Sequence, residues 1–182
     1  MADGDEATFT RIYREHADSI YAYLRYHLAD PAMAEDVTAQ VFLEAWRQRE
    51  TVVIDPELGW APWLFGVARN LVRVSSRTHA RHALVDTAAD SPAWGVVPDP
   101  AVSHAERDER HRVLQATLTA TRQLPDADRE VIELCVIGSL TPKQAAAALG
   151  QPAPTVRSRL TRARRRLRAL TAQILLSEEV LT

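Results

Sequence analysis

Apolar residues recur three and four positions apart along most of this chain, and no run alternates β-branched with polar residues as a half-buried strand would. The pattern predicts an all-α protein. Phe9, Ile12, Tyr13, Ile20 and Leu24 mark a first helix over residues 9–29. Asp30 is a natural N-cap for the second, with Pro31 at its first helical position and Glu35 and Asp36 in the early turns. On that helix Ala34, Val37, Val41, Phe42 and Ala45 share one side. Asp36, Gln40, Leu43 and Arg47 fall on the other, which exposes Leu43. A single exposed Leu is ordinary, yet on a mixed polar face it equally suits a protein-binding surface.

Residues 49–61 form a loop broken by Pro56 and Gly59, and Pro62 opens a third helix. Leu64, Val67, Leu71 and Val74 are its predicted buried stripe. Arg69, Arg73 and Arg77 stack four apart on the opposite side, beside Asn70. Like charges at that spacing cost an isolated helix roughly 0.2–0.5 kcal/mol per pair, a cost that a phosphate backbone would reverse.

Residues 83–102 contain Pro92, Pro98, Pro100 and Gly95 without helical periodicity, so they read as a linker between two helical domains, with Trp94 an unusual occupant. The predicted domains span residues 1–82 and 103–182. Ser103 and Glu106 form a capping box for a helix reaching about Gln123. Leu124-Pro125-Asp126 ends it and caps the next, which stops at Gly138. Thr141 and Gln144 make a second box, for a helix that ends at Leu149 with Gly150 placed for a left-handed turn. Thr155 is the expected N-cap of the last helix, and residues 171–182 should continue it.

Helix, short turn and helix make a helix-turn-helix, whose second helix enters the DNA major groove. On that helix Val156, Leu160, Ala163, Leu167 and Leu170 lie in a narrow arc. Arg157, Ser158, Thr161, Arg162, Arg165 and Arg168 face away from it, offering guanidinium forks and hydroxyls that suit phosphates and the acceptor pair of guanine.

Charge sharpens this picture. The chain has a net charge of −2, yet residues 58–85 and 134–177 contain no acidic side chain. One such run is ordinarily a solvated face; two long ones favour a polyanion partner. Carboxylates there would repel a phosphate backbone. The reading requires the guanidinium groups of both helices, Arg73 and Arg162 among them, to point outward and free of carboxylates.

The segments "AEDVTAQVFLEAW", "PWLFGVARNLV", "LPDADREVIEL" and "LGQPAPTVRSRLTRARRRL" occur in the order and spacing of bacterial sigma factors. The chain resembles their short, two-domain extracytoplasmic-function group from about Phe9 to Leu170. The resemblance implies a first domain (1–82) that binds the clamp helices of RNA polymerase core through Asp36, Gln40, Leu43 and Arg47. Trp60, Trp63, Arg69, Asn70, Arg73 and Arg77 would then open the minus-ten element and capture an unstacked base. The linker (83–102), with Asp86, Asp90 and Asp99, would thread toward the active centre. The second domain (103–182) would meet the polymerase flap and set Thr155, Arg157, Ser158, Arg159, Thr161, Arg162 and Arg165 on the minus-thirty-five element. An anti-sigma protein is a further expected partner. Three places depart from the pattern: Gln144-Ala145-Ala146 replaces the usual Glu-Ile-Ala, and Gln151 and Pro154 stand where apolar and Gly residues are common.

Other classes fit less well. A stand-alone helix-turn-helix regulator leaves the Arg69 stripe and the face around Leu43 unexplained, while an adaptor that binds protein without DNA stays open through the Ala145 and Gln151 departures. His16, His27, His79, His82, His104 and His111 are scattered, with no HExxH cluster and no glycine-rich phosphate loop, which argues against an enzyme, a metal or a cofactor. Cys135 is the single cysteine and sits in an apolar helical setting, so it reads as a packing residue. Without a signal peptide or an apolar stretch of roughly 18 residues, the expected location is the cytoplasm.

Overall fold

The computed structural model describes residues 2–28, 30–79 and 104–180. Among them every regular element is helical: α1 (Ala2–His27), α2 (Pro31–Gln48), α3 (Ala61–His79), α4 (His104–Arg122), α5 (Asp126–Ile132), a π-helical turn (Glu133–Ile137), α6 (Pro142–Leu149) and α7 (Ala153–Val180). The predicted linker with Trp94, and Ser103 of the first capping box, lie outside the described residues.

Local chemistry explains most boundaries. The Asp30 carboxylate accepts from the amide of Ala32 at 2.9 Å, freeing α2 to start at Pro31. Thr141 and Gln144 form the reciprocal capping box of α6, and Gly150 ends it at φ +63. Two predicted caps are corrected. Helix α5 starts after Pro125 with no side-chain cap, and Asp126 lies in its first turn, where its charge suits the helix dipole. Helix α7 starts at Ala153, so Pro154 and Thr155 occupy its first turn; proline needs no hydrogen-bond partner there.

The helix ends at Gly138 as expected, with φ −76 there and the left-handed conformation at Ser139, φ +57. The last turn before it widens: the Gly138 amide bonds the carbonyl of Glu133 at 2.9 Å, and the Leu140 amide that of Leu134 at 3.0 Å. Cys135 lies in this turn, half-buried as a packing residue, and burial raises its thiol pKa against the opposing charge of Arg164.

Helices α1, α2 and α3 pack on one another around Ile20, Leu24, Val41, Leu64 and Phe65. Tyr13 meets Phe42, and Tyr23 meets Phe65, edge-on with ring centroids 4.7 Å and 5.4 Å apart. In the second half, α7 packs against α4, α5 and α6, with Val156, Leu160 and Ala163 buried. The two halves share one continuous buried cluster, because α6 packs on α3 and the π-helical turn on α1. Full burial of a residue such as Phe65 contributes about 1.5–3 kcal/mol.

Candidate nucleic-acid interfaces

Helix α7 is aimed by a tight turn. Gly150 reverses the chain, and the amide of Gln151 bonds the carbonyl of Ala146 at 2.9 Å. With Val156, Leu160 and Ala163 seated inward, Arg157, Ser158, Thr161, Arg162, Arg165 and Arg168 are all exposed, as is Thr155. None of these four arginines pairs with a carboxylate of a described residue. The hydroxyls of Ser158 and Thr161 donate back to the carbonyls of Thr155 and Arg157, at 3.2 Å and 3.1 Å.

Arg159 departs from this face. Its Nη1 donates to Oε1 of Gln151 at 2.9 Å and its Nε lies 3.8 Å from Oδ1 of Asp128, so it braces the turn against α5. The polar Gln151 is thereby accounted for. Gln144 also acts twice. Beyond its capping role, its Nε2 donates to the carbonyl of Leu58 at 3.0 Å, reaching the loop before α3. Ala145, fully buried, lets α6 pack closely.

Helix α3 does not present the free stripe expected of it. Ala61, Leu64, Phe65 and Ala68 are buried, Val67 and Leu71 are half-buried, and Val74 is 60% exposed. The inward face is rotated because the second half covers a side that was expected to meet solvent. Arg69 is turned into that contact. Its Nε donates to Oε1 of Glu130 at 3.0 Å, its Nη2 bonds the same oxygen, and its Nη1 donates to the carbonyl of Ala148 at 2.9 Å. The Nη2 of Arg73 donates to that carboxylate at 3.4 Å, though its side chain stays 61% exposed, so the requirement of a guanidinium free of carboxylates is met by Arg162 and not by Arg73. Asn70 is exposed, Trp60 and Trp63 meet edge-on at 5.8 Å, and the side chain of Arg77 lies outside the described residues. Trp63, Arg69 and Asn70 line a groove whose far wall is Ala147–Gly150.

Sequence reading missed the acidic partners. Beside Glu130, Glu133 is buried where the π-helical turn meets α1. Burial pushes its carboxyl up to about 7, with Glu130 adding to the rise and Arg129, Arg69 and a hydrogen bond from Tyr26 opposing it. Nε2 of His27 lies 3.5 Å from Oε2 of Glu133 without a hydrogen bond. Burial, then the charge of Arg129, holds that imidazole down at about 4. The close placement of His27 and Glu133, 106 positions apart in the chain, has no sequence signal.

On α2 the expected face is present: Asp36, Gln40, Leu43 and Arg47 are exposed, Leu43 by 47%. Leu43 also edges an apolar groove between α1 and α2, lined by Tyr13, Tyr21, Phe42 and Trp46. Among the described residues no group of His, Cys, Asp and Glu is arranged for a metal ion, and no helix is long and apolar enough to cross a membrane.

Residues 12–82 match the family model for Sigma-70 region 2, and residues 114–167 that for Sigma-70, region 4. The ECF RNA polymerase sigma factor SigK of Mycobacterium tuberculosis is 30% identical over 173 residues, covering 92% of this chain and 88% of SigK. RfaY of Xanthomonas campestris pv. campestris, a probable RNA polymerase sigma factor, is 32% identical over 92% of this chain, which spans only 41% of RfaY. Among solved structures, CnrH in complex with the cytosolic domain of CnrY is similar at a TM-score of 0.63 and 25% identity, over 94% of this chain and 92% of that one. RpoE of Bartonella quintana, bound to the anti-sigma factor NepR, shares the fold at the same TM-score and 22% identity, over 90% of this chain and 96% of RpoE. The chain belongs to the extracytoplasmic-function group of sigma-70-type sigma factors, the subunits that bind RNA polymerase core and direct it to promoters.

Proposed function

We propose that this sigma factor divides promoter recognition between residues 1–82 and 103–182, joined by the linker 83–102. Helix α7 would read the minus-thirty-five element through Arg157, Ser158, Thr161, Arg162 and Arg165. Trp60, Trp63, Arg69, Asn70, Arg73 and Arg77 would engage the minus-ten element. Asp36, Gln40, Leu43 and Arg47 would meet polymerase core. Arg159 supports α7 from the side, and Thr155 lies close enough to its start to touch the DNA backbone.

The observation that carries this reading is the outward face of α7, where four exposed arginines lie free of carboxylates of the described residues, on a helix seated by buried apolar side chains. Such a face neutralises phosphates and releases counterions, and its guanidinium forks match guanine edges. The protein would act as a specificity subunit without chemistry of its own, in the cytoplasm where the polymerase works. CnrH is solved in complex with the cytosolic domain of CnrY, which supports a further protein among the partners. Co-purification of core polymerase with the full chain, and its loss when Leu43 is changed to Asp, tests the reading against a stand-alone DNA-binding regulator.

A further inference from the structure

We infer that Glu130 is an intramolecular competitor for DNA, holding Arg69 away from the minus-ten element while leaving the basic face of α7 open. The inference rests on the proposed role of Arg69. Three guanidinium nitrogens of Arg69 are engaged, two by one oxygen of Glu130 and the third by the carbonyl of Ala148, and its side chain is only 13% exposed. A carboxylate that also approaches Arg73 occupies the place that a phosphate oxygen would take on this helix.

The neighbouring contacts act in the same direction. Nζ of Lys143 reaches Oε2 of Glu57 at 2.5 Å, Gln144 holds the carbonyl of Leu58, and the C-terminal end of α6 walls the groove beside Trp63 and Asn70. Every one of these contacts joins the helix-turn-helix half to the α3 region, and none involves the outward arginines of α7. The closed chain therefore offers one DNA-reading face and withholds the other. A binding-competent state populated only in part lowers apparent affinity by that fraction. Docking on polymerase, which must separate the two faces to span a promoter, would free Arg69 at the point of use.

The test uses the full chain carrying Glu130→Gln, which removes the charge and keeps the shape. Binding is read by fluorescence anisotropy against short random-sequence single-stranded DNA and against a random duplex. Opening is read by the radius of gyration in solution scattering. Affinity for the single strand should rise about tenfold, with duplex affinity unchanged within about twofold. Adding Arg69→Ala should cancel the gain. A gain that survives Arg69→Ala, or one equal for both probes, overturns the inference by showing a general charge effect. No gain with no opening in both this variant and Glu130→Ala also overturns it, whereas opening without a gain instead removes Arg69 from the minus-ten surface. Glu130→Ala serves as the second variant should the Gln side chain keep the contact.

Discussion

Phe65 and Gly138 touch so closely that a β-carbon on Gly138 would lie 2.5 Å from Cε1 of Phe65 and 2.8 Å from the carbonyl oxygen of Leu134. This contact joins α3 to the end of the π-helical turn, and it gives Gly138 a packing reason in place of a conformational one. Neither atom is the end of a flexible chain, since Phe65 is fully buried and Leu134 contributes backbone. Gly138→Ala should lower stability by about 1–3 kcal/mol, the range for overpacking a core. Gly66→Ala is the control: a β-carbon there meets nothing within 4 Å, so it should stabilise α3 by about 0.5–1 kcal/mol. Urea titration of the two variants checks both signs; equal effects would contradict the packing.

His27 and Glu133 should make opposite contributions to stability against pH. The carboxyl of Glu133 is raised from 4.5 to about 7, so its contribution is complete below pH 4.5 and lost as pH rises through about 7. The imidazole of His27 is lowered from 6.5 to about 4, so its contribution is complete above pH 6.5 and lost as pH falls through about 4. Between pH 4.5 and 6.5 the folded chain holds a proton on Glu133 and the unfolded chain one on His27, and the two slopes cancel. Glu133→Gln should therefore give stability that rises with pH across this window, and His27→Gln stability that falls. Each slope should reach at most about 1.4 kcal/mol per pH unit. Denaturant midpoints at several pH values measure them, and parallel slopes would refute the assignment.

Arg157→Ala with Arg162→Ala should weaken duplex binding and make its logarithmic salt dependence shallower by about two, one for each phosphate left without its guanidinium. Both side chains are exposed, so the fold should hold. An unchanged affinity and salt slope would take α7 out of the major groove.

Leu43→Asp should abolish polymerase co-purification while moving stability by no more than about 0.5 kcal/mol, as for an exposed surface position. A large loss of stability would mean that Leu43 supports the groove with Phe42 and Trp46 rather than a partner surface.

Much of the architecture was legible because its causes are local. Asp30-Pro31 starts α2, Thr141 and Gln144 cap α6, Gly150 turns the chain, and three- and four-residue spacing sets the apolar side of α7. Thr155 failed as a cap because Pro154 is equally suited to a first helical turn, which moved the start to Ala153. Arg159, set on the minus-thirty-five element by the resemblance alone, is drawn toward Asp128 and Gln151 by contacts that its own helix does not announce. The deeper gap lies between the halves. Arg69 and Glu130 are 61 positions apart, and an acid-free window in sequence says nothing about carboxylates brought in by packing. The same packing buries Phe65 and Ala68 beside Leu64, while Val74 stays exposed, so the periodicity of α3 alone located only part of its inward face.

Guanidinium groups on α3 and α7 would read separate parts of one promoter for RNA polymerase. Transcription of a genomic DNA pool by core polymerase, with and without the protein, followed by mapping of RNA 5′ ends, tests this most directly. New discrete start sites should appear that share two upstream sequence blocks, with the distal block losing definition when Arg157 and Arg162 are both Ala. Start sites identical to those of core polymerase alone, under conditions where the protein is bound to core, would contradict this reading.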